Sequence, residues 1–123
     1  MTETTQVYDT LIIGGGPAGL SAALHLSFHQ RKIIIIDRHT SPMMFHTNPV
    51  SNYLGVKPLI KGRDILKKMT TEVTKNGVTI KTANVVDITG EFPKFEVHVE
   101  SKTKTKQKTI LHAKTLVLSL IHI

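Results

Sequence analysis

Val7-Tyr8-Asp9-Thr10-Leu11-Ile12-Ile13-Gly14-Gly15-Gly16-Pro17-Ala18-Gly19-Leu20-Ser21-Ala22-Ala23 is the stretch from which the rest of the chain is read. Val7, Leu11, Ile12 and Ile13 predict a buried strand over residues 7–13 that stops at glycine. Residues 17–30 predict a helix. Pro17 suits its first turn, and Leu20, Ala23, Leu24 and Phe28 recur at helical spacing. Between the two lies G-x-G-x-x-G, a weak pattern by itself that gains weight from a strand before it and a helix after it. Gly14 permits the turn from strand to helix. Gly16 has no Cβ, so a pyrophosphate can approach the backbone. Gly19 allows close helix–strand packing. The free N–H groups around Pro17 and Ala18, at the positive end of the helix dipole, suit phosphate oxygens.

Residues 32–37 predict a second strand. Its four consecutive isoleucines, Ile33, Ile34, Ile35 and Ile36, fit a parallel strand covered on both faces. The unit is βαβ, and its crossover is expected to be right-handed. Asp37 closes this strand 18 residues after Gly19. A carboxylate there accepts hydrogen bonds from adenosine ribose hydroxyls and repels a 2′-phosphate. Arg38 follows and weakens that exclusion.

Residues 39–60 read as a loop, with Pro42, Pro49, Gly55 and Pro58; a loop of that length inside a domain usually serves a function. A second helix is expected over 61–76, with Ile65, Leu66, Met69 and Val73 on one face and Asn76-Gly77 as its stop. Short strands are expected at 78–80, 85–88, 95–99, 109–112 and 115–118. Phe95, Val97 and Val99 alternate with Glu96, His98 and Glu100, so one face of that strand is wet. The expected fold is α/β: a Rossmann-like parallel sheet with helices on both sides, plus a small antiparallel meander.

The 123 residues suffice for one domain, and 40% apolar content supports a core. With no cysteine, disulfides and thiolate metal sites are excluded from this segment. No apolar run approaches the roughly 20 residues of a membrane helix. The first ten residues lack the pattern of a secretory signal. The expected location is cytoplasmic. Of the +7 net charge, four units come from Lys102, Lys104, Lys106 and Lys108. A run of that kind attracts polyanions, but no aromatic residue lies within it to stack on bases. It reads as a solvated hairpin tip, with nucleic acid an unfavoured partner.

On these residues the chain resembles the thioredoxin-reductase-like flavoproteins, of the class II pyridine nucleotide–disulfide oxidoreductases. The carriers are residues 8–13 running into 14–23, together with Asp37 at the family's acidic ribose position. Asn52-Tyr53-Leu54-Gly55 is similar to an Asn-[aromatic]-Pro-Gly segment near the flavin ring, and Gly62-Arg63-Asp64-Ile65-Leu66 is similar to the opening of the family's next helix. Val85 and Val86 fall where the backbone usually meets the adenine. The resemblance implies bound FAD, held by Gly14, Gly16, Pro17, Ala18, Gly19, Asp37, Arg38, Asn52 and Val86. It also implies an NAD(P)H-binding domain outside this segment, and it admits a homodimer. The chain departs from the family at Ser41-Pro42-Met43-Met44-Phe45-His46, where Gly-Gly-Gln is usual, and at Leu54, where Pro is usual. Both departures point away from thioredoxin as acceptor, leaving a disulfide or a ferredoxin- or flavodoxin-type carrier open.

Other candidates have plainer readings. His25 and His29 share a helix face but read as solvated. Met43-Met44-Phe45 reads as packing or a cover over the flavin, and His46 as an ordinary loop residue. No nucleophile–base constellation and no metal set is expected, because a flavin carries its own chemistry. Alternatives are a stand-alone nucleotide-binding module and a dehydrogenase holding NAD in the glycine loop. The domain is expected to span 1–117. Residues 118–123 translate CTG TCT CTT ATA CAC ATC, a transposase end sequence of sequencing libraries, and are expected to be an artefact.

Overall fold

The four isoleucines of β2 (Ile33–Asp37) divide by parity between two cores. Ile33 and Ile35 join Ile12, Leu20, Ala23, Leu66 and Val73 beneath the helices. Ile34 and Ile36 join Leu11, Ile13, Val97, Val99 and Ala113 on the other side. Each is at most 3% exposed, which bears out the reading of a strand covered on both faces. A fully buried side chain of this size contributes about 1.5–3 kcal/mol, so this short strand anchors both layers.

The computed structural model describes residues 6–39, 49–51, 54–55 and 57–119. Around β2 the elements are β1 (Val7–Ile13), α1 (Pro17–Ser27), α2 (Gly62–Lys75), β3 (Thr79–Glu91), β4 (Lys94–Ser101) and β5 (Lys108–Leu118). Four strands form a parallel sheet in the order β3, β2, β1, β5. The sheet then continues antiparallel, β3 with β4 and β4 with β5, so the five strands close into a barrel.

Closure requires β3 and β5 to serve twice. Thr79–Thr82 pairs with β2, while Ala83 onward pairs with β4. In β5, Ala113 faces both Phe95 of β4 and Tyr8 of β1. The expectation of separate strands at 78–80 and 85–88, and at 109–112 and 115–118, is therefore corrected to two long strands. The expected gaps, 81–84 and 113–114, fall where each long strand passes between the parallel sheet and the meander.

Helices on both sides are likewise corrected. Among the described residues α1 and α2 pack on one face, against each other and the Ile12 core, and the meander covers the other. The α1 helix ends at Ser27, three residues early, in turns that bring Gln30 to φ 55°. Phe28, expected at helical spacing with Leu20, Ala23 and Leu24, lies just past the helix end and is exposed. The Asn76-Gly77 stop of α2 holds: Gly77 adopts φ 88°, and the N–H groups of Gly77 and Val78 donate to Thr74 and Val73. In β4, Val97 and Val99 are buried as the alternation required.

At the opposite end of the parallel sheet from the glycine loop, Asp9 ties three strands together. Its Oδ2 accepts from the Lys32 N–H at 2.7 Å, and its Oδ1 lies 3.7 Å from Lys114 Nζ. The Thr115 hydroxyl donates to its carbonyl at 2.6 Å and accepts from the buried Thr10 hydroxyl at 2.8 Å. The Lys32 N–H beside Asp9 holds its carboxyl below the usual carboxylate range; desolvation opposes this, and the charges of Lys114 and Arg31 reinforce it.

Candidate functional site

Gly14, Gly15, Gly16 and Asp37 meet where β1 and β2 end. Gly14 has φ 117° and donates its N–H to the Ile36 carbonyl at 2.9 Å. Gly16 is the residue before α1, with extended backbone, and its carbonyl accepts the first helical bond, from Leu20 at 3.0 Å. No side chain caps this helix end, and no acidic residue lies in its first turn. Pro17 lacks an N–H, but Ala18 and Gly19 present theirs at the positive end of the dipole. An uncapped helix start of this kind fits an anion.

Three glycines are required by sterics. A Cβ on Gly19 would strike the Gly14 carbonyl, which confirms the close packing expected there. A Cβ on Gly14 would strike the Ser119 carbonyl, besides the strain of its positive φ. The middle residue, Gly15, had no assigned reason from the sequence. A Cβ there would overlap the carboxyl group of Asp37. The loop and the acidic residue at the end of β2 therefore touch.

Asp37 is held by a residue the sequence reading passed over. The His39 N–H donates to Asp37 Oδ1 at 3.0 Å, and its ring Nδ1 lies 3.2 Å from Oδ2. The other ring nitrogen, Nε2, is 2.9 Å from the Thr82 hydroxyl of β3. His39 adopts φ 59°, which folds its ring back over the end of β2. The Asp37 side chain keeps 14% of its surface exposed. That surface opens on a cleft of about 280 Å³. Its lining includes Gly15, Asp37 and His39, an apolar floor of Leu20, Leu66 and Ile80, and Arg63 and Lys67 from α2. A cleft with an apolar floor and polar groups at one edge suits a nucleoside. Arg63 entered the sequence reading only within the Gly62–Leu66 stretch and was given no role, and Lys67 did not enter it; the packing of α2 against α1 brings both there.

Other expected site residues are more dispersed. Arg38 is exposed, and its carbonyl accepts from Lys102 Nζ at the start of the lysine run. The run is an exposed hairpin tip as expected, but its first lysine reaches the end of β2, 64 residues away in sequence. Val86 is exposed at the β-bulge of β3, between Val85 and Asp87. Asn52, Met43, Met44, Phe45 and His46 lie outside the described residues. His25 and His29 are exposed, and His25 Nδ1 is 2.9 Å from the Ser21 carbonyl; His29 lies beyond the end of α1, so the two do not share a helix face as expected. Among the described residues no group of three or more His, Cys, Asp or Glu is placed to hold a metal, and no helix is long and apolar enough to cross a membrane.

Comparison with known proteins adds four findings. Residues 8–120 match the family profile described as pyridine nucleotide-disulphide oxidoreductase. Over 109 residues the chain is 32% identical to a ferredoxin–NADP reductase of Levilactobacillus brevis, covering 84% of this chain and 32% of that protein. It is also 32% identical over 109 residues to a thioredoxin reductase of Peptoclostridium litorale, covering 87% and 34%. Among solved structures it is similar to thioredoxin reductase from Streptococcus pyogenes, with a TM-score of 0.79 at 29% identity over 94% of this chain and 35% of that one. The chain spans about a third of the length of these relatives.

Proposed function

The chain belongs to the pyridine nucleotide-disulphide oxidoreductase family, and on that premise we propose that it is the FAD-holding part of an NAD(P)H-dependent flavoprotein oxidoreductase. The observation that carries the reading is the junction of Gly15 with Asp37. It sets an uncapped helix N-terminus beside a carboxylate, the two features that the pyrophosphate and ribose of one dinucleotide require. Gly14, Gly16, Pro17, Ala18 and Gly19 face the pyrophosphate in this proposal, and Asp37 takes the ribose. Arg38, Asn52 and Val86 complete the cofactor contacts carried over from the family.

When bound, FAD would supply the redox chemistry between a reduced nicotinamide and an acceptor. This chain's own residues bind and orient. The loop fixes the phosphates without a side chain between them and the backbone, and the α1 dipole offsets their charge. The acceptor is a disulfide or, by the likeness to a ferredoxin–NADP reductase, a protein electron carrier. NAD(P)H binds a further domain, absent from these residues, and the protein works in the cytoplasm. The 123-residue chain by itself holds FAD weakly or not at all and does not turn over.

Purification of the protein encoded by the whole gene tests the reading. A yellow protein with flavin absorbance, lost on Gly16→Val, is the expected result. A colourless protein that retains NAD instead would replace it with the dehydrogenase alternative. Tight stoichiometric flavin on the 123-residue chain would overturn the weak-binding part.

A further inference from the structure

We propose that His39 is a positioning residue that turns Asp37 into a receptor for a vicinal diol, the 2′- and 3′-hydroxyls of the adenosine ribose. The proposal rests on the nucleotide reading above and names what that site selects. A carboxylate offers about four lone-pair positions on its two oxygens. His39 engages one position on each: its backbone N–H on Oδ1 and its ring Nδ1 on Oδ2. One position on each oxygen remains, so two adjacent hydroxyl donors can be received together.

Two further contacts fix the direction in which those positions point. Gly15 lies against the carboxyl group on one side. On the other, Thr82 holds Nε2 of the His39 ring, anchoring the ring to β3. The Thr82 hydroxyl can either donate to or accept from a ring nitrogen, so it pairs with Nε2 while Nδ1 faces Asp37. Asp37, His39 and Thr82 thus form one hydrogen-bonded chain linking β2 to β3 at the edge of the cleft. An unsupported Asp side chain would rotate among rotamers and lose affinity to ordering when the ribose arrives.

The test is a titration of the isotopically labelled protein encoded by the whole gene, freed of flavin, with ADP and with 2′,3′-dideoxy-ADP at millimolar concentration, followed at the Gly14–Gly19 amides by NMR. The two ligands differ only in the diol. The unsubstituted chain should prefer ADP by about tenfold, the size of one to two net hydrogen bonds. His39→Gly removes the ring while keeping a positive φ accessible, and should reduce that preference to about twofold or less. His39→Asn keeps a donor and tolerates the same φ, and should restore part of it. Each variant's amide spectrum reports whether it is folded.

A His39→Gly variant that keeps the full preference would overturn the proposal. So would a parallel loss of affinity for both ligands, the mark of a merely structural residue. If ADP leaves the amides of Gly14–Gly19 unmoved in the unsubstituted whole-gene protein freed of flavin, the nucleotide reading fails and this inference fails with it. If ADP moves them without any preference for the diol, the nucleotide reading stands and only this inference falls.

Discussion

Gly19 lies so close beneath the carbonyl of Gly14 that no Cβ would fit between them. That single contact sets the depth at which α1 sits on the sheet, because Ile12 closes the same gap from β1. Gly19→Ala is expected to cost about 1–3 kcal/mol, the usual range for forcing an extra carbon into packed structure. The atom opposed is backbone, which cannot rotate aside, so the upper end is favoured. Urea denaturation of the two chains measures it, and an unchanged midpoint would refute the packing argument.

Gly15→Ala tests the junction of loop and ribose carboxylate. The new Cβ must displace Asp37, which His39 and β2 both restrain. Affinity for ADP should fall about tenfold, with a smaller effect on 2′,3′-dideoxy-ADP, because the diol contact is what moves. Isothermal titration or NMR gives the two ratios. Equal losses for both ligands would mean that the substitution disturbs the phosphate loop instead.

Acid should weaken the chain partly through Asp9. Its folded-state pKa is depressed, chiefly by the Lys32 N–H. The associated stability is fully present above the unfolded value of about 3.9, and is lost as the pH falls through the lower folded value. Asp9→Asn removes this contribution. The variant should melt lower than the unsubstituted chain at pH 6, and the gap should narrow towards pH 3. A gap independent of pH would rule out the carboxylate as its source.

Ile34 points into the core under the meander, and Ile35 into the core under the helices. Truncation of either to Ala is expected to cost about 2–5 kcal/mol. The two variants should unfold cooperatively in both layers, since β2 belongs to each. Near- and far-ultraviolet circular dichroism would show it. A meander that melts separately from the helices in Ile34→Ala would contradict a shared core.

Residues 118–123 are proposed to derive from library DNA. Sequencing the source gene across the codon for Val117 checks this. The expected result is a reading frame that departs from Leu118–Ile123 and continues into a second glycine motif. An unchanged frame followed by a stop would instead favour a stand-alone nucleotide-binding module.

The sequence by itself determined the βαβ unit, the glycine loop, the acidic end of β2 and the stop of α2. All of these are local. A strand, a turn or a cap is encoded by residues within a few positions of one another, and their periodicity and backbone preferences survive in any context. The two long strands escaped because their burial changes along their length. Thr79–Glu91 and Lys108–Leu118 each leave one sheet environment for another, so no single alternation runs through them and their polar middles imitate loops. Only the tertiary structure decided which faces the helices cover, why Gly15 is glycine, that His39 braces Asp37 and is itself held by Thr82, and that Arg63 and Lys67 line the same cleft. Those groupings depend on the register of β2 on β3 and the packing of α2 on α1, which arise from contacts far apart in the chain.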